Sequence, residues 1–301
     1  MWIFFGFAVI ALMRVIQKIC SKRVSTLVGS GITFFHYGAY YQFLSAVFAF
    51  IFLCFSGFYG FNKETFLCAL IMALLLALDL FSGLEAVKGT TLVVCNMFAT
   101  GGLFVPCVLG IFLFKEPMSV LQWIGLGVFI VSIYFLSASS EKKKKAFSIK
   151  TLVMLVLSFL SNGLVMVVQK YFALLLPDGN VALFSFLTFG LNAVILLACM
   201  IFLATVKSKD KNGVKINKIE RLSGKLALYG MLLALAIFSI NQIVTTLAKS
   251  VSSVALFTVT SALSVIITCI VGAAMFKEKL TVKNIIGLLL GFASIVIVNL
   301  F

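Results

Sequence analysis

Two stretches of the sequence carry the same pattern and decide the fold: LFKEPMSVLQWIGLGVFIVSIYFL at 113–136 and MFKEKLTVKNIIGLLLGFASIVIVNL at 275–300. In each, a Phe-Lys-Glu turn leads into an apolar segment long enough to cross the bilayer core, which takes ~20 residues. Matching residues share one offset (277 − 115 = 162), and the pairs are Lys115/Lys277, Glu116/Glu278, Ser119/Thr281, Gln122/Asn284, Gly125/Gly287 and Ser132/Ser294. A constant offset of about half the chain length indicates an internal duplication.

The composition indicates a protein that crosses a membrane many times. The chain has 301 residues, of which 62% are hydrophobic and only 11% are charged, and its mean hydropathy is +1.20. A soluble domain would expose far more polar surface. The apolar runs are continuous rather than alternating, which favours helices over a barrel of strands. The net charge of +15 fits basic cytoplasmic loops, and no aromatic–basic pattern typical of RNA binding occurs, so no nucleic-acid partner is expected.

Hydropathy predicts ten membrane-spanning helices, five in each half of the chain. The predicted spans are 2–20, 35–58, 65–87, 90–114, 118–138, 150–173, 181–206, 224–248, 251–276 and 281–300. We therefore predict an all-α integral membrane fold of two five-helix repeats, 1–138 and 150–301. A basic cytoplasmic linker at 139–149 joins them.

The basic residues predict the orientation of the chain. All but four of the 24 lysines and arginines fall on the side that carries the 139–149 and 207–223 loops; the exceptions are Lys63, Lys115, Lys170 and Lys249. Cytoplasmic loops collect Lys and Arg, so this side is predicted to be the cytoplasm and both termini to lie outside. With five spans per half, the second half enters the membrane from the opposite face, which predicts inverted repeats.

Signatures of metal, cofactor and catalytic chemistry are missing from the sequence. Its seven cysteines are scattered without a CxxC pair, and His36 is its single histidine, so we predict neither a zinc site nor any other metal site. Walker A, HExxH and GxSxG sequences do not occur. We therefore expect no cofactor and no enzymatic activity; a membrane-embedded enzyme or a structural membrane protein is the alternative interpretation.

Two motifs occur in both halves of the chain. Each half has a Gln-Lys pair near the end of its first span, at Gln17-Lys18 and Gln169-Lys170. Each also has a [Gly/Lys]-Glu-x-[Leu/Met]-[Ser/Thr] turn, with a glycine six residues after the Ser or Thr. In these motifs the two halves resemble the drug/metabolite transporter (DMT) superfamily, and within it the EamA-type ten-helix bacterial transporters. The chain departs from the family in its prolines, because Pro106 lies close to the turn and the ninth span has none. Several relatives also have cytoplasmic termini, unlike the orientation that the charges predict.

The resemblance implies a secondary active transporter of the cell (inner) membrane. Its partners would be the lipid bilayer and a small-molecule substrate, either a metabolite, an amino acid or a drug-like solute, moved by alternating access. The resemblance also implies a central cavity lined by the first, third, fourth, sixth, eighth and ninth spans. Proton coupling, the direction of flux and the choice between monomer and homodimer stay open.

Two acids inside predicted spans are the candidates for coupling transport to an ion. Asp79 lies deep in the third span, and Glu85 lies nearer its cytoplasmic end. A charge at the bilayer centre costs roughly 2.5–3.5 kcal/mol, so such residues are usually functional. Asp79 would then bind a substrate amine or carry a proton. The other interpretation is an ion pair with Lys88, Lys18 or Arg14 that fixes helix packing.

Amide side chains within the predicted spans are further candidates for substrate binding. An amide in hydrocarbon needs another helix, a ligand or water as its partner, so each contacts either substrate or a neighbouring helix. The candidates are Gln17, Asn96, Asn162, Gln169, Asn192, Asn241 and Gln242. Structural roles, capping or pairing at the rim of the cavity, are predicted for the turn residues Lys115, Glu116, Lys277 and Glu278. Lys170 is expected at the membrane interface.

Overall fold

The computed structural model describes residues 2–27, 32–89, 92–137, 148–176, 178–206, 223–276 and 282–300. Over these ranges the chain forms helices and no strand, which confirms the all-helical prediction. The helices are α1 (Trp2–Leu27), α2 (Ile32–Ser56), α3 (Lys63–Gly89), α4 (Leu92–Gly101), α5 (Phe104–Leu113), α6 (Val120–Ser137), α7 (Ile149–Leu175), α8 (Val181–Val206), α9 (Gly224–Leu247), α10 (Ser253–Phe276) and α11 (Val282–Leu300). Most of the predicted linker at 139–149 lies outside the described residues.

Six of the described helices are long and apolar enough to cross a membrane. They contain the segments Trp2–Ser21, Ile32–Ser56, Lys63–Gly83, Ile149–Leu175, Val181–Thr205 and Gly224–Leu247. Shorter apolar segments at Phe98–Leu113, Val120–Ser132, Ser253–Ile267 and Ile285–Val298 coincide with the other four predicted spans. The chain is therefore a multi-pass membrane protein. The count of ten crossings and the inverted repeats at 1–138 and 150–301 stay predictions.

Polar side chains mark the points where helices begin. Asn62 Oδ1 accepts a hydrogen bond from the N–H of Thr65 (2.7 Å) at the start of α3. Ser119 and Gln122 form a reciprocal capping box at the start of α6, with N···O distances of 3.1 and 3.2 Å. Ser119 and Gln122 belong to the repeated stretch, so part of what is repeated is a helix start.

The fourth predicted span consists of two helices, α4 and α5, that meet at Gly102-Leu103. Pro106 accounts for the position of the break, because proline has no N–H and its ring collides with the carbonyl four residues earlier, here that of Gly102. The backbone instead turns through shorter-range bonds, from Leu103 N to Thr100 O (3.2 Å) and from Val105 N to Gly102 O (3.0 Å).

Tertiary contacts divide the chain into two units, and each unit draws on both sequence halves. Unit 1 contains Met1–Val15, Leu78–Pro177 and Ile243–Phe301, and unit 2 contains Ile16–Ala77 and Asp178–Gln242. Within unit 1, α6 packs along α11, and α7 packs on α4 and α5. Within unit 2, α2 packs along α8.

The α6–α11 contact in unit 1 joins the two copies of the repeated stretch reciprocally. Ser132 Oγ donates to the carbonyl of Gly287 (2.6 Å), and Ser294 Oγ donates to the carbonyl of Gly125 (2.8 Å). The two serines are equivalent in the repeat, as are the two glycines, and the helices run antiparallel. A Cβ on Gly125 would lie 2.6 Å from a methyl group of Val298, so this close approach requires glycine.

Candidate functional site

The Asp79 carboxyl on α3 is held by two neutral side chains of α7. Ser158 Oγ donates to Asp79 Oδ1 at 2.7 Å, and Asn162 is a second hydrogen-bond partner of the carboxyl. Ser158 and Asn162 are four residues apart and therefore share a helix face. Asp79 and Asn162 are half-buried, whereas Ser158 is fully buried. Among the described residues, a hydroxyl and an amide contact this carboxyl. The other expectation was an ion pair with Lys88, Lys18 or Arg14, and of these the Lys88 side chain lies outside what the structure describes.

A close crossing of α7 with the α4–α5 break fixes the position of these α7 side chains. The crossing is made by Gly102 at the break and by Gly163, which directly follows Asn162 in α7. A Cβ on Gly102 would lie 2.6 Å from the carbonyl oxygen of Phe159, and a Cβ on Gly163 would collide with the carbonyl of Gly102 and with Val105. The backbones therefore touch, which holds α7 at a defined depth beside Asp79.

Glu85, the second predicted coupling acid, pairs with a lysine at the start of α7. Lys150 Nζ lies 3.1 Å from Glu85 Oε2, and the Lys150 side chain is 72% exposed. Exposed ion pairs contribute about 0–1 kcal/mol, so this one adds little to the folding free energy. Glu85 also lies beyond the Lys63–Gly83 apolar segment, at the end of α3 rather than at its middle.

The predicted structural turn at Lys115-Glu116 lies between α5 and α6 and contacts α7 and the start of α10 within unit 1. Glu116 Oε1 lies 2.8 Å from Lys170 Nζ on α7, and Glu116 Oε2 accepts the N–H of Ser253 (2.8 Å) at the start of α10. Lys170 Nζ also donates to the carbonyl of Val251 (2.6 Å). Lys115 is exposed and adopts φ 53°, a conformation that is uncommon for a residue with a side chain.

The structure buries the Lys170 side chain inside the protein, and its expected position at the membrane interface stays a prediction. Its side chain is buried inside unit 1 with 3% of its surface exposed. The carboxylate of Glu116 and the carbonyl of Val251 supply the polar partners that water and lipid head groups would otherwise provide. The position of Lys170 near the end of a span does not predict this burial, because its partner Glu116 lies 54 residues away in sequence (170 − 116 = 54).

The predicted amide candidates fall into both units. In unit 1, Gln169 Nε2 contacts Thr245 Oγ1 (3.4 Å). In unit 2, Ser185 Oγ donates to Gln242 Oε1 (3.0 Å) and accepts from Asn241 Nδ2 (3.1 Å). Gln17 is half-buried in unit 2. The Asn96 side chain and the residues Lys277 and Glu278 lie outside what the structure describes.

Sequence reasoning missed Ser158, although a signal for it was present. Asn162 was recognised as a polar group in an apolar segment, and a serine four residues earlier lies on the same face of the helix. Serine in a membrane helix usually bonds its own backbone, so it drew no attention alone. Ser158 and Asp79 are 79 residues apart in sequence, so the contact between them becomes visible only in the folded chain.

Comparison with known proteins agrees with this fold. No curated protein matches the sequence at a significant level. One similar solved structure carries the description "Crystal structure of protein". The two chains superpose with a TM-score of 0.76 and share 10% sequence identity, and the match covers 97% of this chain and 95% of that chain. This likeness concerns the fold alone. The sequence profile of the EamA-like transporter family matches residues 149–300, just over half of the chain. The chain therefore belongs to the EamA-like transporter family of membrane transporters, within the drug/metabolite transporter superfamily.

Proposed function

We propose that this chain is a secondary active transporter of the cell inner membrane. It moves a small metabolite, an amino acid or a drug-like solute by alternating access and couples this movement to a proton through Asp79. The observation that carries the proposal is a carboxyl group within an apolar α3 segment whose partners are the neutral groups of Ser158 and Asn162. The protein acts as a monomer or a homodimer.

The chemistry of the Asp79 site supports this role. An ionised carboxylate has about four acceptor positions, and Ser158 and Asn162 occupy two. Neutral donors orient the group without cancelling its charge, so the carboxyl is left able to take up a proton or to bind a cationic amine. Either event changes the net charge inside the membrane, where charge is costly. A change of this kind can favour one access state over the other, because a ligand shifts an equilibrium only through differential affinity.

The reciprocal α6–α11 contact supports alternating access. Ser132 and Ser294 each bond the glycine carbonyl of the opposite repeat copy, in antiparallel helices. This arrangement is what an inverted repeat produces at its symmetry axis, and such repeats exchange conformations between the two membrane faces. Glu85 is proposed to assist coupling from the end of α3, where Lys150 holds it.

The test is uptake of a solute panel into proteoliposomes, with and without an inward-directed pH gradient. Asp79→Asn keeps the side-chain volume and removes the charge, so it should abolish the gradient-dependent component while leaving the melting temperature within a few degrees. Glu64→Gln is the matched control, because Glu64 is an exposed acid in the first turn of the same helix. Wild-type uptake by Asp79→Asn at every pH would refute the coupling role.

The alternative function, a membrane-embedded enzyme, is separated by the same preparation. A transporter delivers its solute into sealed vesicles chemically unchanged, and disrupting the vesicles releases it. Recovery of a chemically altered lipid, peptide or solute would favour an enzyme instead. Family membership favours transport, since EamA-like proteins are transporters.

A further inference from the structure

The loop that joins α2 to α3 in unit 2 is uncharged and exposes aromatic rings. α2 ends at Ser56 and α3 begins at Lys63, and no Lys, Arg, Asp or Glu occurs between Arg23 and Lys63. The loop rings are Phe55, Phe58, Tyr59 and Phe61, with 86%, 69%, 56% and 64% of their surfaces exposed. Large exposed apolar patches mark contacts with a membrane or with another protein.

Hydrogen bonds hold the backbone of this loop against the rest of unit 2. Asn180 Nδ2 donates to the carbonyl of Gly57 (2.8 Å), and Thr65 Oγ1 donates to the carbonyl of Gly60 (3.2 Å). Asn180 and Thr65 are themselves buried. A Cβ on Gly60 would lie 2.8 Å from the carbonyl oxygen of Asp178, so the loop lies directly on the turn that precedes α8. The backbone of the loop is therefore fixed, while its rings stay exposed.

Glycines define the backbone conformation on both sides of Phe58 and Tyr59. Gly57 has φ 87° and Gly60 has φ 72°, conformations that residues with a side chain rarely adopt. The exposure of Phe58 and Tyr59 is thus a property of one specific loop conformation, which the two glycines and their hydrogen bonds maintain.

The length of the loop keeps its rings close to the membrane. Residues 57–62 connect the apolar segments Ile32–Ser56 and Lys63–Gly83. Six residues reach about 20 Å when fully extended, and both ends are attached to membrane helices, so the rings stay within about 10 Å of the helix ends. Ile51 and Phe52, which are also exposed, continue the same uncharged surface along the last turns of α2.

The polarity of the backbone limits how deep the loop can lie in the bilayer. Residues 57–62 are not helical, and irregular backbone does not contact lipid in the hydrocarbon core, because its N–H and C=O groups would lack partners there. Aromatic side chains, tyrosine and tryptophan above all, are enriched at the level of the lipid head groups. Lys63 directly follows the loop and is exposed, so its flexible side chain can reach lipid phosphates.

We propose that the loop rings insert into the head-group boundary of the phospholipid bilayer and fix the depth of the α2–α3 loop. The partner is a lipid surface, because an uncharged apolar patch that continues a membrane helix meets lipid before it meets any other molecule. Two other occupants, a second copy of the chain and a separate protein, would also cover the rings, and the experiment separates them. It measures the surroundings of single residues, so its outcome does not depend on whether the proposed transport is found.

Tryptophan fluorescence measures the depth of the loop. The two native tryptophans are first replaced, as Trp2→Phe and Trp123→Phe. A single tryptophan is then introduced as Phe58→Trp, Tyr59→Trp or Phe61→Trp. Each variant is placed in nanodiscs that hold one copy, made from phospholipids brominated either near the head-group end or near the methyl end of the acyl chains.

The loop tryptophans should respond mainly to bromine near the head groups. We expect it to quench them at least about twofold more than bromine near the chain ends. Acrylamide dissolved in the water should quench them weakly.

Two control positions bracket this depth. Phe43→Trp places the fluorophore at an exposed position near the middle of the same helix, α2, so bromine near the chain ends should quench it more. Asn212→Trp lies in the basic, polar stretch 207–221 of the sequence, where acrylamide should quench strongly and neither lipid should.

Three results would overturn the proposal. Acrylamide quenching of the loop tryptophans as strong as that of Asn212→Trp would mean that a separate protein normally covers the rings. Shielding from acrylamide only in nanodiscs that hold two copies would mean that copies of the chain cover each other. Quenching mainly by bromine near the chain ends would place the loop in the hydrocarbon core. If one variant does not fold, the other two still decide, because each of the three positions reports the depth of the same loop.

Discussion

Removing the charge of Glu116 should destabilise unit 1 more than any other conservative change in the turn between α5 and α6. In Glu116→Gln the side chain keeps its shape and one acceptor oxygen, yet the ammonium of Lys170 loses its counter-charge. Lys170 is almost completely buried and Glu116 is 19% exposed. The remaining acceptor for the ammonium is the carbonyl of Val251 (2.6 Å).

The size of the effect follows from this burial. Breaking a buried ion pair by removing one partner costs about 3–5 kcal/mol, and the retained acceptor oxygen places Glu116→Gln at about 3 kcal/mol. For a chain of this size each kcal/mol lowers the melting temperature by about 2–4 °C, so a fall of roughly 6–12 °C is expected.

A double-mutant cycle tests whether the ion pair is the cause. Lys170→Met removes the stranded charge and fills the same space, so the double variant should be more stable than Glu116→Gln alone. Lys115→Gln is the matched control, because Lys115 is the exposed neighbour in the same turn, and it should leave the melting temperature unchanged. The assay is a thermal melt of each purified variant. A second measurement gives the fraction of each variant that elutes from a sizing column as a single peak.

Two results would refute this reasoning. Ordinary surface substitutions change the free energy of unfolding by up to about 0.5 kcal/mol. If Glu116→Gln changes it by no more than that, the ion pair does not stabilise unit 1. If the double variant loses as much as the two single variants together, the two side chains act independently. A clean change in which solute is transported would also contradict the structural role proposed for Glu116.

Three further predictions follow from the packing and the charges. Gly163→Ala should cost about 1–3 kcal/mol, seen as a lower melting temperature, because the added Cβ meets backbone rather than a movable side chain. Ser132→Ala and Ser294→Ala should each lower the free energy of unfolding by about 0.5–1.5 kcal/mol. The two losses should be similar because the contacts of the two serines are reciprocal, and a several-fold difference between them would contradict the equivalence of the two serines. In a cysteine-free background, a cysteine at Ser140 should be shielded from an impermeant thiol reagent in intact cells and one after Phe301 should react, and the reverse pattern would overturn the predicted orientation.

The helical fold was predictable because its determinants are local. Apolar length and the repeated Ser119-x-x-Gln122 pattern are properties of short segments, and both correspond to helices and a helix start in the structure. The break at Gly102 was not predicted, although Pro106 was noticed, because sequence position alone does not say whether a proline in a membrane helix bends or interrupts it.

The candidate site was predictable only in part. Asp79 and Asn162 stood out as polar groups in apolar segments, and the structure brings them together. Ser158 and the burial of Lys170 were missed, because each depends on a partner far away in sequence.

The reciprocal contact of α6 with α11 has a consequence for the timing of folding. Ser132 and its partner Gly287 are 155 residues apart, and chains are synthesised at about 5–20 residues per second. The face of α6 that carries Gly125 and Ser132 therefore waits about 8–30 s for its partner helix. Because equivalent residues meet across this contact, the waiting face is self-complementary in the sense of an isologous surface. During that interval α6 can pair with a second newly made copy, and the arrival of α11 from its own chain ends the competition.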